Sequence, residues 1–134
     1  LEDVNQSARV VKLSDGALNF SYLTSAPVDM TGLADPTNAL GDYLAGEGIP
    51  LLYVAAPQKV EAGKDLLPPG LTDYNNENAD QFLSLLEAHG TDTVDLRPLF
   101  EETEDYASWF FRTDHHWKPE AAFYAWQYLS TILE

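Results

Sequence analysis

The sequence has no cysteine, which excludes disulfides, thiolate nucleophiles and cysteine-ligated metal centres. Basic residues are also scarce, since 7 Lys and Arg stand against 22 Asp and Glu and give a formal net charge of −15. Binding to nucleic acid or to anionic lipid depends on basic side chains that displace counterions, so neither partner is expected. The acidity favours an extracellular or cell-surface protein.

Long apolar runs are missing as well. No stretch reaches the roughly 20 apolar residues that span a bilayer, and the first residues lack the pattern of a signal peptide. We therefore expect no transmembrane segment and no signal peptide in this chain. A length of 134 residues is enough for one domain with its own apolar core.

Apolar runs and turn residues alternate along the chain. A β-hairpin is expected over 9–23 around Asp15-Gly16, and a strand buried on both faces over 49–56. Further expected elements are a helix from Pro36 capped by Asp35, a loop over 57–76, a helix over 77–89 ended by Gly90, a strand over 92–100, an extended segment over 109–112 and a helix from Pro119. This order predicts an α/β fold with helices layered on a parallel sheet.

The last helix is expected to present Ala122, Ala125 or Trp126, Leu129 and Leu133 on one apolar face. A parallel sheet normally continues with another strand after such a helix, and the chain ends there. The sequence thus predicts a single, truncated domain over 1–134 with an incomplete sheet. Because unpaired strand edges promote association, we expect a homodimer through the exposed sheet edge.

The stretch "FFRTDHHWKPEAAFYAW" (110–126) places Asp114 two residues before His116. A carboxylate can fix the tautomer of an imidazole while the other ring nitrogen deprotonates a hydroxyl group. In an extended segment, residues two apart point to the same side, so this pairing is feasible. The alternative is structural: Asp114 binds nearby amides and the histidines pack on Trp117.

A metal site is a further alternative for this loop. Adjacent histidines in an extended segment point in opposite directions, so His115 and His116 are not expected to share an ion. The remaining histidine, His89, lies in the last turn of a predicted helix, where its charge suits the helix dipole. We therefore expect neither a metal nor a cofactor.

The same stretch closely resembles the motif of the DHHW protein family and of its relatives among the alginate O-acetylation proteins, which carry a similar F-R-T-D-x-H-W run. "IPLLYVAAPQKV" (49–60) resembles their strand followed by P-x-K. The resemblance implies a three-layer, SGNH-hydrolase-like (flavodoxin-like) α/β fold with a parallel sheet. It also implies a serine enzyme that moves acetyl groups on or off polysaccharides.

Residue by residue, the resemblance implies that His116 is the catalytic base and Asp114 its orienting acid. His115 falls on a variable position of the motif, and we place it among the substrate-binding candidates. Arg112 matches the motif too, as a substrate contact or as a partner of Asp114 or a neighbouring acid. Trp117 is expected to pack beneath the loop. Lys118 and Ala121 depart from the small polar residue and the glycine that the family often has.

Lys59 ends the P-x-K stretch at the edge of the predicted sheet, where ligands of open α/β sheets usually bind. It is either a substrate or oxyanion contact or a solvated loop lysine. The nucleophile is harder to place, because the family's serine lies in a G-D-S-like turn downstream of the D-x-H motif. No serine of this chain lies in a glycine-flanked turn between a strand and a helix.

Two hypotheses follow. The first is part of an SGNH-like esterase or O-acetyltransferase that acts on an acetylated carbohydrate or a similar acyl ester, with its serine outside this chain. The second is a catalytically inactive module of the same fold that binds a polysaccharide or a protein.

Overall fold

The computed structural model describes residues 7–133, so both ends of the predicted 1–134 domain lie outside the described residues. Its elements in chain order are β1 (Ser7–Lys12), β2 (Leu18–Leu23), α1 (Thr31–Gly46), β3 (Leu52–Ala55), α2 (Asn75–His89), β4 (Asp92–Asp95), α3 (Arg97–Glu101), a 3₁₀ helix (Tyr106–Trp109) and α4 (Pro119–Ile132). No helix in this part of the chain is long and apolar enough to cross a membrane.

The predicted hairpin is confirmed by β1 and β2, which pair antiparallel with Lys12 opposite Leu18. Its turn uses Gly16 at a φ of 81°, a conformation that costs glycine little. The Asp15 carboxylate accepts a hydrogen bond from the Ala17 N–H at 2.8 Å and so closes the turn. The turn of the hairpin is therefore set by local chemistry, while its apolar side chains pack on Val60 and the loop that follows.

The layered α/β arrangement is also confirmed. Strands β3 and β4 pair in parallel, with Val54 opposite Val94, and helices cover both faces of this sheet. On one face Tyr53 packs against Phe82 of α2, with ring centroids 5.0 Å apart. On the other face Val54 and Val94 pack on the core cluster that includes Phe100. Successive β3 side chains thus point into different layers, as the pleat requires.

Within the described residues, β3 and β4 pair only with each other, so each has one edge without a strand partner. This is the condition for the homodimer expected from the sequence, which stays a prediction. Burial along β3 is less than predicted, because Ala55 is buried while the three residues before it are only half-buried.

The predicted start of α1 is wrong by five residues. The helix begins at Thr31, and Pro36 lies inside it. The side chain near its start is Asp29, whose carboxylate accepts from the Thr31 N–H at 3.0 Å, in place of Asp35. A proline in the second turn removes a single backbone hydrogen bond, and the helix tolerates this loss so close to its first turn.

Two further predicted segments are confirmed only in part. The segment predicted as a strand over 92–100 is strand only to Asp95 and then turns into α3, where Pro98 occupies the first helical turn. The extended segment predicted over 109–112 overlaps a 3₁₀ helix, and its strand character is limited to one bridge between Phe110 and Trp117. Both errors arise where apolar residues belong to short helical turns.

The predicted face of α4 is confirmed at Ala125, which is buried, and at Leu129, which is partly buried against the core cluster. The buried residues of the helix are Ala121 and Ala125, two small side chains. Trp126 and Leu133 are 60% and 61% exposed and lie outside the core. Of the two residues predicted for the same place on the apolar face, the smaller Ala125 is buried and Trp126 is not, because close packing selects the smaller side chain.

Candidate active site

The D-x-H motif lies in a tight turn between the 3₁₀ helix and α4. The Phe111 N–H donates to the His116 carbonyl at 3.1 Å and closes the turn. Trp117 follows directly and packs on Phe100, with ring centroids 6.1 Å apart. The expectation that Trp117 lies beneath the loop is confirmed by this contact with the core.

Asp114 and His116 form the predicted pair. The Asp114 Oδ1 accepts from the His116 backbone N–H at 2.9 Å and lies 2.6 Å from His116 Nδ1. In the neutral imidazole, the carboxylate favours the tautomer with the proton on Nδ1, in which Nε2 carries the lone pair. Both side chains are solvent-accessible, at 66% for His116 and 50% for Asp114. The unprotonated nitrogen can therefore meet a hydroxyl group brought from outside.

These two hydrogen bonds lower the pKa of the Asp114 carboxyl group, the backbone N–H of His116 contributing most. A carboxylate with a lowered pKa in the folded state adds stability above its unfolded pKa of about 4. That contribution is lost as the pH falls through the lowered value.

We expect the side-chain ¹³C resonance of Asp114 to titrate with a midpoint below that of an unfolded aspartate. In a His116→Ala chain the ring contact disappears while the backbone donor remains, so the midpoint should rise part of the way back. An NMR pH titration of both chains measures this. A midpoint at or above the ordinary value in the wild type would contradict the geometry.

His115 does not point away from His116, and the expectation that the two histidines diverge is wrong. Their ring centroids are 4.0 Å apart, and His115 Nδ1 lies 3.3 Å from the same Asp114 oxygen. The reason is the turn: the alternation of side chains holds for an extended strand, and this segment is bent. His115 also contacts the Phe20 ring, at a centroid distance of 5.7 Å.

The three side chains also offer ligand atoms within 4.8 Å of one another, the arrangement from which a metal site could be built. Two ligands each about 2.0–2.1 Å from a tetrahedral zinc ion lie roughly 3.3 Å apart. The 2.6 Å between His116 Nδ1 and Asp114 Oδ1 is instead a hydrogen-bond length. The geometry favours the pair over a metal, and the predicted lack of a metal stays a prediction.

Lys59 lies directly under this turn. The interpretation as a solvated loop lysine is wrong, because the residue is 9% exposed and its ammonium group donates to backbone carbonyls. Burial lowers the pKa of the ammonium group, while the Asp15 and Asp114 carboxylates act in the opposite direction. The predicted substrate contact of Lys59 stays a prediction, and the contacts seen are with the protein's own backbone.

Arg112 points to the hairpin and does not pair with Asp114. Its Nη2 donates to the Asp15 carbonyl at 2.9 Å, and its own carbonyl accepts from the Leu18 N–H at 2.8 Å. Arg112 lines a cavity of about 490 Å³ that Asp114 and His116 do not line. The structure therefore separates Arg112 from the histidines, and its role as a substrate contact stays a prediction.

A cleft of about 210 Å³ lies beside the histidines. Its lining residues come from β2, from the loop after β3, from the start of α2 and from the motif, and they include Asn19, Phe20, Gln58, Asn75, His115 and His116. The contribution of β2 was not predicted from the sequence. The sequence feature that could have indicated this contribution is the pair of polar residues Asn19 and Ser21, two positions apart on β2. Both are buried, and the Asn19 side-chain N–H donates to the Ser21 hydroxyl at 2.7 Å.

The comparison with protein families agrees with this geometry. Residues 29–134 match the model of the SGNH hydrolase-like domain of the acetyltransferase AlgX, which is well over half of the chain and includes the whole D-x-H turn. The chain belongs to this family. The alginate O-acetylation relatives named from the motif are thereby confirmed, and membership of the DHHW family itself stays a prediction.

Relatives of this AlgX-type domain are longer proteins. The alginate biosynthesis protein AlgX of Pseudomonas aeruginosa is 34% identical over 89 residues, which are 63% of this chain and 19% of that protein. Two structures of Bacillus cereus PatB1 are each 24% identical, one of them with a sulfonyl adduct. They superpose with TM-scores of 0.75 and 0.74 over 95% and 96% of this chain.

The PatB1 likeness shows the fold, and the SGNH-hydrolase-like α/β architecture expected from the motif is confirmed. The AlgX-type domain described here spans 45% and 42% of the two PatB1 chains, less than half of each.

Proposed function

We propose that this chain supplies the histidine–aspartate half of a serine-dependent O-acetyltransferase or acetylesterase. The observation that carries the proposal is the 2.6 Å contact between His116 Nδ1 and Asp114 Oδ1, which leaves Nε2 directed away from the carboxylate. Membership of the AlgX-type family supports acetyl transfer as the reaction class. His116 is the general base, Asp114 holds its ring, and the nucleophilic serine comes from outside this chain.

The reaction then follows from these roles. His116 Nε2 accepts the proton of a serine hydroxyl as the oxygen attacks the acetyl carbonyl, and Asp114 stabilises the resulting imidazolium. The imidazolium returns its proton to the departing alkoxide, and an acetyl-serine remains. A sugar hydroxyl or a water molecule, deprotonated by the same Nε2, then takes the acetyl group and releases the serine.

The substrate class we propose is an acetylated or acetyl-accepting carbohydrate. The relative with 34% identity is an alginate biosynthesis protein, which supports a polysaccharide substrate. The cleft of about 210 Å³ is smaller than the roughly 300–1,000 Å³ of drug-sized ligand sites. It suits a small acyl group and the edge of one sugar ring, with His115 as a substrate contact. An extracellular or cell-surface location fits such a substrate.

A second candidate is a binding module without catalysis. It is favoured by the described lining of the cleft, which contains no serine. Ser21 of the adjacent strand is fully buried and bonded to Asn19, so its hydroxyl group does not reach the cleft. The same histidine loop would then contact a polysaccharide without cleaving an ester.

Acetyl capture distinguishes the two candidates. We expect any longer product of this gene that carries a G-D-S-like serine to gain the mass of one acetyl group when mixed with 4-nitrophenyl acetate. It should then lose that mass to water or to an oligosaccharide, as followed by intact mass spectrometry. The present chain, which lacks the nucleophile, should stay unmodified and is the matched control.

If no chain is acetylated and none releases 4-nitrophenol, the acetyltransferase proposal is wrong. Oligosaccharide binding to the present chain, measured by calorimetry and lost in a His115→Ala and His116→Ala double variant, would then support the binding module.

A further inference from the structure

Lys59 has contacts that neither a substrate-binding role nor a surface position accounts for. Its side chain runs from the loop after β3 to the underside of the 111–116 turn, where it is buried. Its Nζ lies 2.6 Å from the Phe111 carbonyl and 2.7 Å from the Asp114 carbonyl. A third short bond, of 2.5 Å, reaches the Leu18 carbonyl of β2.

These three bonds use every proton of the ammonium group. The Arg112 carbonyl lies slightly farther away, at 3.4 Å. Two close carbonyl oxygens of the turn and one of β2 thus converge on a single cation, although carbonyl dipoles that point at each other repel. Hydrogen bonds from an ammonium group are charge-assisted and strong, so the shape of this turn depends on the positive charge at its centre.

Asp114 connects the Lys59 ammonium group to the His116 ring. Its backbone carbonyl is bound to Lys59, while its carboxylate binds the ring and the backbone N–H of His116. Asp114 is therefore held in place through its backbone carbonyl, and its carboxylate in turn holds the His116 imidazole.

We propose that Lys59 is a positioning residue, whose ammonium group shapes the 111–116 turn and thereby holds Asp114 and His116 in the geometry of the general base. It acts through the backbone and contacts no substrate. The inference rests on the proposed function, because positioning has a catalytic consequence only if His116 is the base. The pairing of the two side chains can nevertheless be measured without any activity.

The absence of cysteine makes a selective test available. In a Lys59→Cys chain the new thiol is the sole thiol of the protein. Its thiolate displaces bromide from 2-bromoethylamine to form a thioether that ends in an ammonium group, which restores the length and charge of lysine. Alkylation of the same thiol with 1-bromopropane gives a side chain of equal length without charge. Both products are made on the unfolded chain and then refolded.

The readout is the ¹⁵N spectrum of the His116 ring, which reports whether Nδ1 carries a proton bound to Asp114. We expect the ammonium form to give the wild-type spectrum. The uncharged form should fold, as judged by far-UV circular dichroism, but show a mixture of tautomers at His116. The same reactions on a Lys64→Cys chain, where the native lysine is exposed, should leave the spectrum unchanged.

A wild-type His116 spectrum in the uncharged form overturns the proposal. If the uncharged form does not fold, a Lys59→Arg chain decides, because a planar guanidinium group cannot donate to three converging carbonyls as an ammonium group does. A folded Lys59→Arg chain with an altered His116 spectrum supports positioning. A wild-type spectrum, or failure of that chain to fold, overturns it.

Catalytic activity gives a second measurement in a longer polypeptide that carries the serine nucleophile. A misplaced base costs about 100-fold in rate, so the uncharged form should lose about that factor in kcat while KM changes little. An inactive wild type would contradict the proposed function alone, since the ¹⁵N spectrum tests the positioning by itself. An active wild type whose kcat is unchanged by loss of the charge would contradict the positioning alone.

Discussion

Replacing His116 with alanine is expected to lower kcat for acetyl-ester cleavage by about 10⁴-fold in a polypeptide that carries the serine nucleophile. The loss follows from the geometry, because His116 Nε2 is the ring nitrogen left free once Nδ1 is bound to Asp114. An Asp114→Asn chain should lose a similar factor, since the amide no longer enforces the Nδ1–H tautomer. Initial rates with 4-nitrophenyl acetate measure both effects.

His115 provides the matched control for this experiment. It is the adjacent residue, it lies 3.3 Å from the same carboxylate oxygen, and its side chain is 45% exposed. A His115→Ala chain should keep a kcat close to the wild type, with any loss appearing in KM for the carbohydrate. If His115→Ala abolishes turnover and His116→Ala does not, the base has been assigned to the wrong ring.

Replacing Phe100 with alanine is expected to lower the free energy of unfolding by about 3–5 kcal/mol. Phe100 is fully buried and lies edge-on to Trp109 and Tyr124, at centroid distances of 5.4 Å each. Its loss leaves a cavity between α3 and α4 that these large rings cannot fill without leaving their own contacts. Urea unfolding followed by tryptophan fluorescence gives the value.

The control for Phe100 is Phe123 of α4, an aromatic residue of the same size that is 62% exposed. A Phe123→Ala chain should stay within about 0.5 kcal/mol of the wild type. If Phe100→Ala lowers the free energy of unfolding by less than about 1 kcal/mol, the aromatic cluster around Phe100 does not provide the main stabilisation of the core. Because Trp117 also rests on Phe100, the Phe100→Ala chain should in addition show a disturbed His116 resonance.

Features with a local cause could be predicted from the sequence. The hairpin follows from Asp15-Gly16, and the end of α2 follows from Gly90, which adopts a φ of 99° that favours glycine. The pairing of Asp114 with His116 spans two residues and needs no distant partner. In each case the residues that decide the structure are neighbours in the chain.

Features that depend on distant segments could not be predicted in this way. The ammonium group of buried Lys59 binds backbone carbonyls that are 41, 52 and 55 residues away in the chain. The residues next to Lys59 in the sequence give no indication of such contacts. Phe20 contacts His115 across an even longer stretch of chain, from a strand that the sequence pattern predicts only as half of a hairpin. The two histidines turn the same way because the segment is closed by Phe111 and His116, which a strand-like alternation does not foresee.

The hydrogen bonds from Lys59 to carbonyls that follow it in the chain also determine when the site can form during protein synthesis. Lys59 is translated 52 residues before Phe111 and 55 residues before Asp114. At about 5–20 residues per second, roughly 3–10 s pass between the synthesis of Lys59 and that of the first carbonyl of the turn. The geometry of the general base therefore cannot form before residues 111–116 have been added to the chain.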